Sequence, residues 1–483
     1  MTDSKKTNPK MTAFKKHVRF PGRMVIVGFG SIGQGVLPLF LRHIEMDAKQ
    51  ITVITADESG RAEAEAQGVA AFRVDPVTID TMEAVLGPLV GAGDFVVNLS
   101  VDVSSIALFT FAHKRGALYL DTCIEPWPGG YTDPTVSPSL RSNYALRDRA
   151  HALRKAFDGG PTVVLTHGAN PGMVSHFVKQ ALLNIASDTN HHTAVPKSRA
   201  EWGALARALS VKVIHIAERD TQVCAHPKAR GEFVNTWSID GFLSEGCQPA
   251  ELGWGSHERH WPADGHRHDF GCDAAIWLSR PGCTTRVRTW TPGEGPFHGF
   301  LITHGEAISL ADYFTVREEG ELAFRPTVHY AYHPCDDAVL SLHEYNGKNQ
   351  ETQAKKRLMV DEIVDGVDEL GVLLMGHAKG AYWFGSHLST HQTRDLIEYN
   401  SATSLQVTVG VLSGVIWALE NPAAGIVDPD EIDFQRIMEI STPYLGDLVG
   451  AYSDWTPLQG RAVLFPEDID TQDPWQFKNF RVV

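Results

Sequence analysis

The run Gly28-Phe29-Gly30-Ser31-Ile32-Gly33 has the G-x-G-x-x-G spacing that brings a backbone against a pyrophosphate. The first glycine permits a tight turn, the second a close approach of the ligand, and the third the packing of helix on strand. With Ser31 and Ile32 between them, Gly28, Gly30 and Gly33 open an apolar helix, whose N-terminal N–H groups and dipole favour phosphate. Asp57 ends the next apolar run, where a carboxylate accepts hydrogen bonds from a ribose and repels a 2′-phosphate, which favours NAD over NADP. It lies further from Gly28 than the roughly 20 residues usual for this fingerprint, and nearby Arg61 is the counter-signal for NADP.

Open α/β sheets bind ligands at the carboxyl ends of their strands. Those ends read Asn98-Leu99-Ser100-Val101-Asp102, Asp121-Thr122-Cys123-Ile124-Glu125 and Thr166-His167-Gly168-Ala169-Asn170-Pro171-Gly172. Asn98, Ser100 and Thr122 suit the nicotinamide half of the cofactor, and Thr166 is placed with the cofactor-binding set. Asp102 and Glu125 are spare carboxylates that either face the site or cap helices. Further along, Glu218 follows the strand-like Val211–Ile216, Trp237 reads as a core residue, Glu245 reads as a loop carboxylate, and His304 sits at a strand end. Pattern alone does not join them. His257, His260, His266 and His268 crowd one stretch without the spacing of a zinc site, so no metal is expected.

Strand-length apolar runs, Met24–Val27, Ile51–Thr55, Ala70–Val74, Phe95–Leu99, Ala117–Leu120 and Thr162–Thr166, alternate with helical patterns. That is a parallel sheet covered on both faces. Pro38 is expected to kink the first helix. Beyond a helix opening at Gly172, alternating segments suggest a mainly antiparallel sheet. The fold expected is an α/β Rossmann-type dinucleotide-binding domain plus an α+β substrate and dimerisation domain. The divisions expected are a disordered tail over 1–19, the NAD-binding domain over 20–171, the substrate and dimerisation domain over 172–400, and a helical region over 401–483 that packs back on the NAD domain. A net charge of −15 argues against nucleic acid as a partner. Six scattered cysteines without a C-x-x-C pair fit a reducing, cytoplasmic protein. The first 19 residues lack the apolar core of a secretory signal, and the longest apolar stretch, Leu405–Leu419, is interrupted and reads as a buried helix, not a membrane span.

Four segments carry a family resemblance: Val25–Gly35, Thr166 through His176, Tyr330-Ala331-Tyr332-His333-Pro334-Cys335 and Leu374-Met375-Gly376-His377-Ala378-Lys379. Together they resemble the bacterial homospermidine synthases and, more remotely, the saccharopine and carboxynorspermidine dehydrogenases. The likeness runs from about Met24 to Trp475. It implies a homodimer that joins two putrescines into homospermidine and releases ammonia, with NAD reduced and reoxidised within one cycle. It also implies site roles. Trp237 stacks on a cationic substrate, Glu218 and Glu245 bind amino groups and move protons, Asn170 and His304 flank the reacting carbon, and Asp102 and Glu125 hold amines near the entrance.

The chemistry asks for such groups. Putrescine is a dication at neutral pH, and carboxylates attract it. An ammonium cannot lose hydride from its neighbouring carbon until a base frees the nitrogen lone pair, and Glu218 or His304, directly or through water, is that base. A tryptophan face over the resulting iminium contributes roughly 2 kcal/mol without offering a nucleophile. A saccharopine-type or carboxynorspermidine-type dehydrogenase would instead show net redox turnover; the saccharopine type would need a cation for its substrate's carboxylate. A non-catalytic NAD sensor would need only the glycine loop.

Overall fold

The computed structural model describes residues 14–69, 71–398 and 400–483. Two sheets organise them. The first is a parallel sheet of seven strands in the spatial order Ile426–Val427, Val163–Val164, Leu118–Asp121, Phe95–Asn98, Met24–Val27, Ile51–Thr55 and Ala71–Val74. Successive side chains of Met24–Val27 point to opposite faces, and both faces are apolar. Met24 and Ile26 join one core with the helices Ser31–His43 and Ala402–Glu420, while Val25 and Val27 join a second core with Ser105–Lys114. Burying each such side chain stabilises the fold by about 1.5–3 kcal/mol, so neither face tolerates a polar residue. Strand order reverses at Met24–Val27, which opens a crevice at its carboxyl end.

The second sheet has ten strands and is mainly antiparallel. At its centre Val213–Asp220 pairs in parallel with Thr327–His333 and antiparallel with Val367–His377. Alternation again sorts the residues. Val213, Ala217 and Ala331 face an outer core closed by Trp475, Phe477 and Phe480. Ile214, Ile216, Tyr330 and Tyr332 face inward, in one core with the helix Met173–Asp188. Glu218 continues that inward series, so a carboxylate is set on the face that meets the first domain.

Several expectations need correction. Residues 1–13 of the expected tail lie outside the described residues. The rest of that segment is docked, because Val18–Arg19 pairs with Ile44–Glu45 and Lys15 bonds Glu439 at 2.6 Å. The region 401–483 is not simply helical. Ile426–Val427 completes the first sheet, Asp447–Ser453 joins the second, and the last residues seal its outer face. Glu218 lies within its strand, not after it, because the ladder continues past the apolar run through buried Arg219 and Asp220, whose partners satisfy them. Within the histidine-rich stretch, His268 is buried and stacks on Tyr144 at 3.9 Å.

The helix Ala402–Glu420 is long and apolar enough to cross a membrane by length and composition, but 89% of its apolar window is buried between the two sheets' cores. It presses directly on the turn that carries Asn170. His167 Nδ1 lies 2.9 Å from the Gly410 carbonyl, and a Cβ on Gly410 would stand 2.1 Å from the Gly168 carbonyl oxygen. Gly410→Ala must therefore push the helix and the turn apart. Overpacking of this kind costs about 1–3 kcal/mol, and a lower urea midpoint with an unchanged slope is the outcome expected.

Candidate active site

One cavity of about 590 Å³ runs from the glycine loop to the inward face of the second sheet. Its cofactor end is built as the fingerprint requires. Gly28 has φ of +87°, and a Cβ there would lie 2.7 Å from the backbone of Leu99 and Ser100. A Cβ on Gly30 would meet nothing within 4 Å, so that side of the loop is open to a ligand. The helix Ser31–His43 has no side-chain cap and no acidic residue in its first turn, leaving its leading N–H groups for an anion. Gly28, Gly30, Ser31, Ile32, Asp57, Ser100 and Thr122 line this end.

Gly33, Asn98 and Thr166 do not line it. Gly33 packs under the Phe29 ring, where a Cβ would come within 2.9 Å. Asn98 is buried and accepts from the Ser100 hydroxyl at 2.5 Å, which orients a residue that does face the cavity. The Thr166 N–H donates to Asp121 at 2.6 Å, tying two strand ends together. Asp57 fixes its own turn by accepting from Ser59 N at 2.8 Å. Arg61 is turned to Glu58 and lies 4.5 Å over the Phe72 ring. Among the described residues no lysine or arginine lines the cavity. A nicotinamide dinucleotide without a 2′-phosphate fits this chemistry; a phosphorylated ribose would meet carboxylates.

The other end gathers Asp102 and Glu125 from the first domain with Asn170, Glu218, Trp237, Glu245 and His304. Asp240 is added, a residue pattern did not single out. Glu218 is fully enclosed by its surroundings and accepts from Tyr330 Oη at 2.5 Å and Asn170 Nδ2 at 2.9 Å. Burial drives its carboxyl pKa upward against these donors. Trp237 donates Nε1–H to Tyr332 Oη at 3.0 Å and packs near Phe242, yet part of its ring remains on the cavity wall. Tyr330 and Tyr332 stack at 5.1 Å and support Glu218 and Trp237 together. Alternation along Thr327–His333 was the signal for both tyrosines, since residues two apart share a face.

Glu245 is helical, not in a loop. Ser238 caps Ile239–Cys247 through Gly241 N at 3.1 Å, and buried Ile239 and Phe242 anchor it; Gly241 and Gly246 disguise the pattern. This places Glu245 Oε2 3.0 Å from His304 Nε2, while Glu306 Oε1 stands 3.2 Å from His304 Nδ1. Burial alone would lower the imidazole pKa, but the charges of Glu306 and Glu245 outweigh it and raise it to about 10. Of the two bases expected, Glu218 or His304, that rise disfavours His304 and suits its ring to donating from both nitrogens. Glu125 is 2% exposed, with Oε2 unpartnered. Burial and then the Glu245 charge raise its pKa to about 8. Desolvation, then Asp240, raises that of Asp102.

The four histidines of the 257–268 stretch stand apart from the cavity. His257 bonds the Trp475 carbonyl at 2.9 Å, His260 bonds Asp470 at 2.8 Å, and His266 stacks on Trp277 at 4.2 Å. Among the described residues no group of three or more histidine, cysteine or acidic side chains is arranged to hold a metal ion.

Because Glu125 is protonated more readily folded than unfolded, its contribution to stability is full below about pH 4.5 and is lost as pH rises to about 8. Glu125→Gln should match the parent in melting experiments at acid pH. It should exceed it above pH 8 by on the order of 5 kcal/mol in the absence of any diamine. An advantage that is the same at every pH would contradict a charge-burial origin.

Comparison with known proteins follows the same lines. The saccharopine dehydrogenase NADP binding domain family matches residues 24–164, and the saccharopine dehydrogenase C-terminal domain family matches 168–453. A homospermidine synthase of Blastochloris viridis is 54% identical over 98% of this chain and 100% of its own length. One from Mesorhizobium japonicum is 50% identical over 95% and 96%. The crystal structure of the Legionella pneumophila homospermidine synthase in complex with NAD superposes with a TM-score of 0.90 at 48% identity, covering 96% of this chain and 98% of that one.

Proposed function

The chain belongs to the homospermidine synthase family, and we propose that it condenses two putrescines into homospermidine and ammonia in the cavity between its two sheets. The observation that carries this reading is the charge of the substrate end. Asp102, Glu125, Glu218, Asp240 and Glu245 line it, and among the described residues no lysine or arginine does. Such a lining suits a diamine and opposes a substrate carboxylate, which disfavours net-redox amino-acid dehydrogenation of the saccharopine type. The NAD sensor reading leaves this acidic, tryptophan-bearing end without a purpose.

Gly28, Gly30, Ser31, Asp57, Ser100 and Thr122 would hold NAD. When bound, its nicotinamide accepts a hydride from the amine-bearing carbon of the substrate and later returns one. The chain's own groups do the rest. Glu125 and Asp102 hold the distal ammonium of the diamine. The carboxylate form of Glu218, whose raised pKa makes it a stronger base near neutrality, takes a proton from the reacting ammonium. Tyr330 and Asn170 fix Glu218 in place for that transfer. The face of Trp237 stabilises the positive charge that develops at the substrate carbon and nitrogen. The second putrescine adds to that carbon. The imidazolium of His304, held by Glu245 and Glu306, then donates a proton to the departing ammonia. The enclosed cleft limits competing attack by water. A homodimer in the cytoplasm belongs to the same proposal, and equilibrium sedimentation should give twice the chain mass if the dimer forms.

Purified protein incubated with putrescine and catalytic NAD should yield homospermidine and ammonia in equal amounts, without net accumulation of NADH. Steady NADH release would identify a dehydrogenase instead. Trp237→Ala should lower turnover by a factor of about thirty, the equivalent of roughly 2 kcal/mol of cation–π stabilisation, with Trp237→Phe falling between. Wild-type turnover in Trp237→Ala would remove that role. Glu218→Gln should bind NAD normally in fluorescence titration and lose most synthase activity. Impaired NAD binding would place Glu218 outside the substrate site.

A further inference from the structure

On the far side of the helix that carries Glu245, a second cavity of about 590 Å³ is lined by residues including Arg141, Arg280, Tyr345 and Cys247. Cys247 is the last residue of the helix Ile239–Cys247 and is half-buried at this wall. Behind it, Cys283 is 1% exposed, in the turn Gly282–Thr284. The backbone brings the two opposite one another. Pro249 pairs with Pro281, and Gly282 N donates to the Gln248 carbonyl at 3.1 Å. Continuing that ladder by one step sets Cys247 across from Cys283. The packing is correspondingly close, since a Cβ on Gly246 would lie 3.3 Å from the Cys283 Cβ. Adjacent residues of one helix, Asp336–Gly347, hold the two thiols. Tyr345 Oη lies 2.9 Å from Cys247 Sγ, and Asn346 Oδ1 lies 3.7 Å from Cys283 Sγ. Both sulfurs are free thiols.

The pair sits where a small movement reaches the reaction. Glu245 is two residues before Cys247. On the other side, Leu301 N bonds the Thr285 carbonyl at 2.9 Å, and the chain reaches His304 three residues later. The Glu245–His304 ion pair is thus anchored at one end by the Cys247 helix and at the other by the segment packed on the Cys283 turn.

We propose that Cys247 and Cys283 form a redox-modification site, at which hydrogen peroxide converts the two thiols to a disulfide that displaces Glu245 from His304 and slows turnover. The chemistry balances without other partners. Cys247 attacks one peroxide oxygen, the O–O bond breaks, and water leaves as a sulfenic acid forms. The Cys283 sulfur then displaces a second water from that sulfenic sulfur, so two thiols are oxidised and one peroxide is reduced. The neighbouring Cys283 sulfur and the Tyr345 hydroxyl lower the Cys247 thiol pKa, which makes it the attacking sulfur, whereas that of Cys283 is raised. A disulfide requires an S–S separation of about 2.05 Å, shorter than any thiol hydrogen bond, so the helix end must shift toward the turn.

The readout of activity rests on the synthase reading; the readout of mass does not. The reduced full-length enzyme treated with hydrogen peroxide should give a cross-linked 247–283 peptide pair in a non-reducing digest. Turnover should fall by about tenfold or more and recover with dithiothreitol. Cys247→Ser should show neither the cross-link nor the loss. Cys283→Ser should lack the cross-link and accumulate a dimedone-reactive sulfenic acid at Cys247. Absence of the 247–283 cross-link in peroxide-treated wild type overturns the proposal, as does a complete cross-link with unchanged turnover. Reduced enzyme that makes no homospermidine would overturn the synthase reading alone, because the cross-link is scored by mass.

Discussion

A crowd of carboxyl groups in one cleft is the interaction on which this structure turns. Glu125 and Glu218 are buried there and Glu245 is half-buried, while Asp102 and Asp240 stay exposed; Lys356 pairs with Asp240, and His304 faces Glu245 with Glu306 already sharing it. Burial opposes ionisation first and neighbouring carboxylates add to it, so the raised carboxyl pKa values of Glu125 and Glu218 follow from the placement. A dicationic ligand relieves that repulsion on entry. The cleft therefore binds by completing its own electrostatics, and it discriminates by charge before any question of shape arises.

Holding such a cluster demands rigid surroundings, which the two sheets supply. Tyr330 donates to the Glu218 carboxylate from the neighbouring strand, and Ser105 Oγ fixes the backbone at Glu125 by accepting its N–H at 2.9 Å. Helix Ala402–Glu420 belongs to neither domain alone. Its glycine face lets the turn at Gly168 approach within van der Waals contact, and that turn delivers Asn170 to Glu218. Function here depends on small residues far along the chain as much as on the groups that touch a substrate.

Much of this was readable from residue order. The glycine loop follows from its spacing and its place between strand and helix, and six strands of the first sheet follow from apolar runs of strand length alternating with helical patterns. The remainder escaped for identifiable reasons. Glu245 looked like a loop residue because two glycines interrupt a helix whose stability comes from its Ser238 cap and buried Phe242. Glu218 looked like a strand end because the apolar run stops while the ladder continues through satisfied polar residues. His304 looked like a base because the charge that protonates it comes partly from Glu245, 59 positions earlier. Tyr332 and Trp237 lie 95 positions apart, and no local pattern announces such a pair. Asp102, Trp237 and the others were joined by family likeness before geometry joined them.

The strand Ile426–Val427 forms the edge of the cofactor-binding sheet, although the other six strands of that sheet are complete by Val164. During synthesis the entire substrate domain must leave the ribosome before that edge can close. A chain cut short before residue 426 exposes the unpaired edge of Val163–Val164, and one cut before residue 402 also leaves its apolar flank without the helix that covers it. Incomplete molecules are thereby marked for degradation or aggregation rather than left as free dinucleotide-binding fragments, so the winding of the chain itself works as a check on completeness.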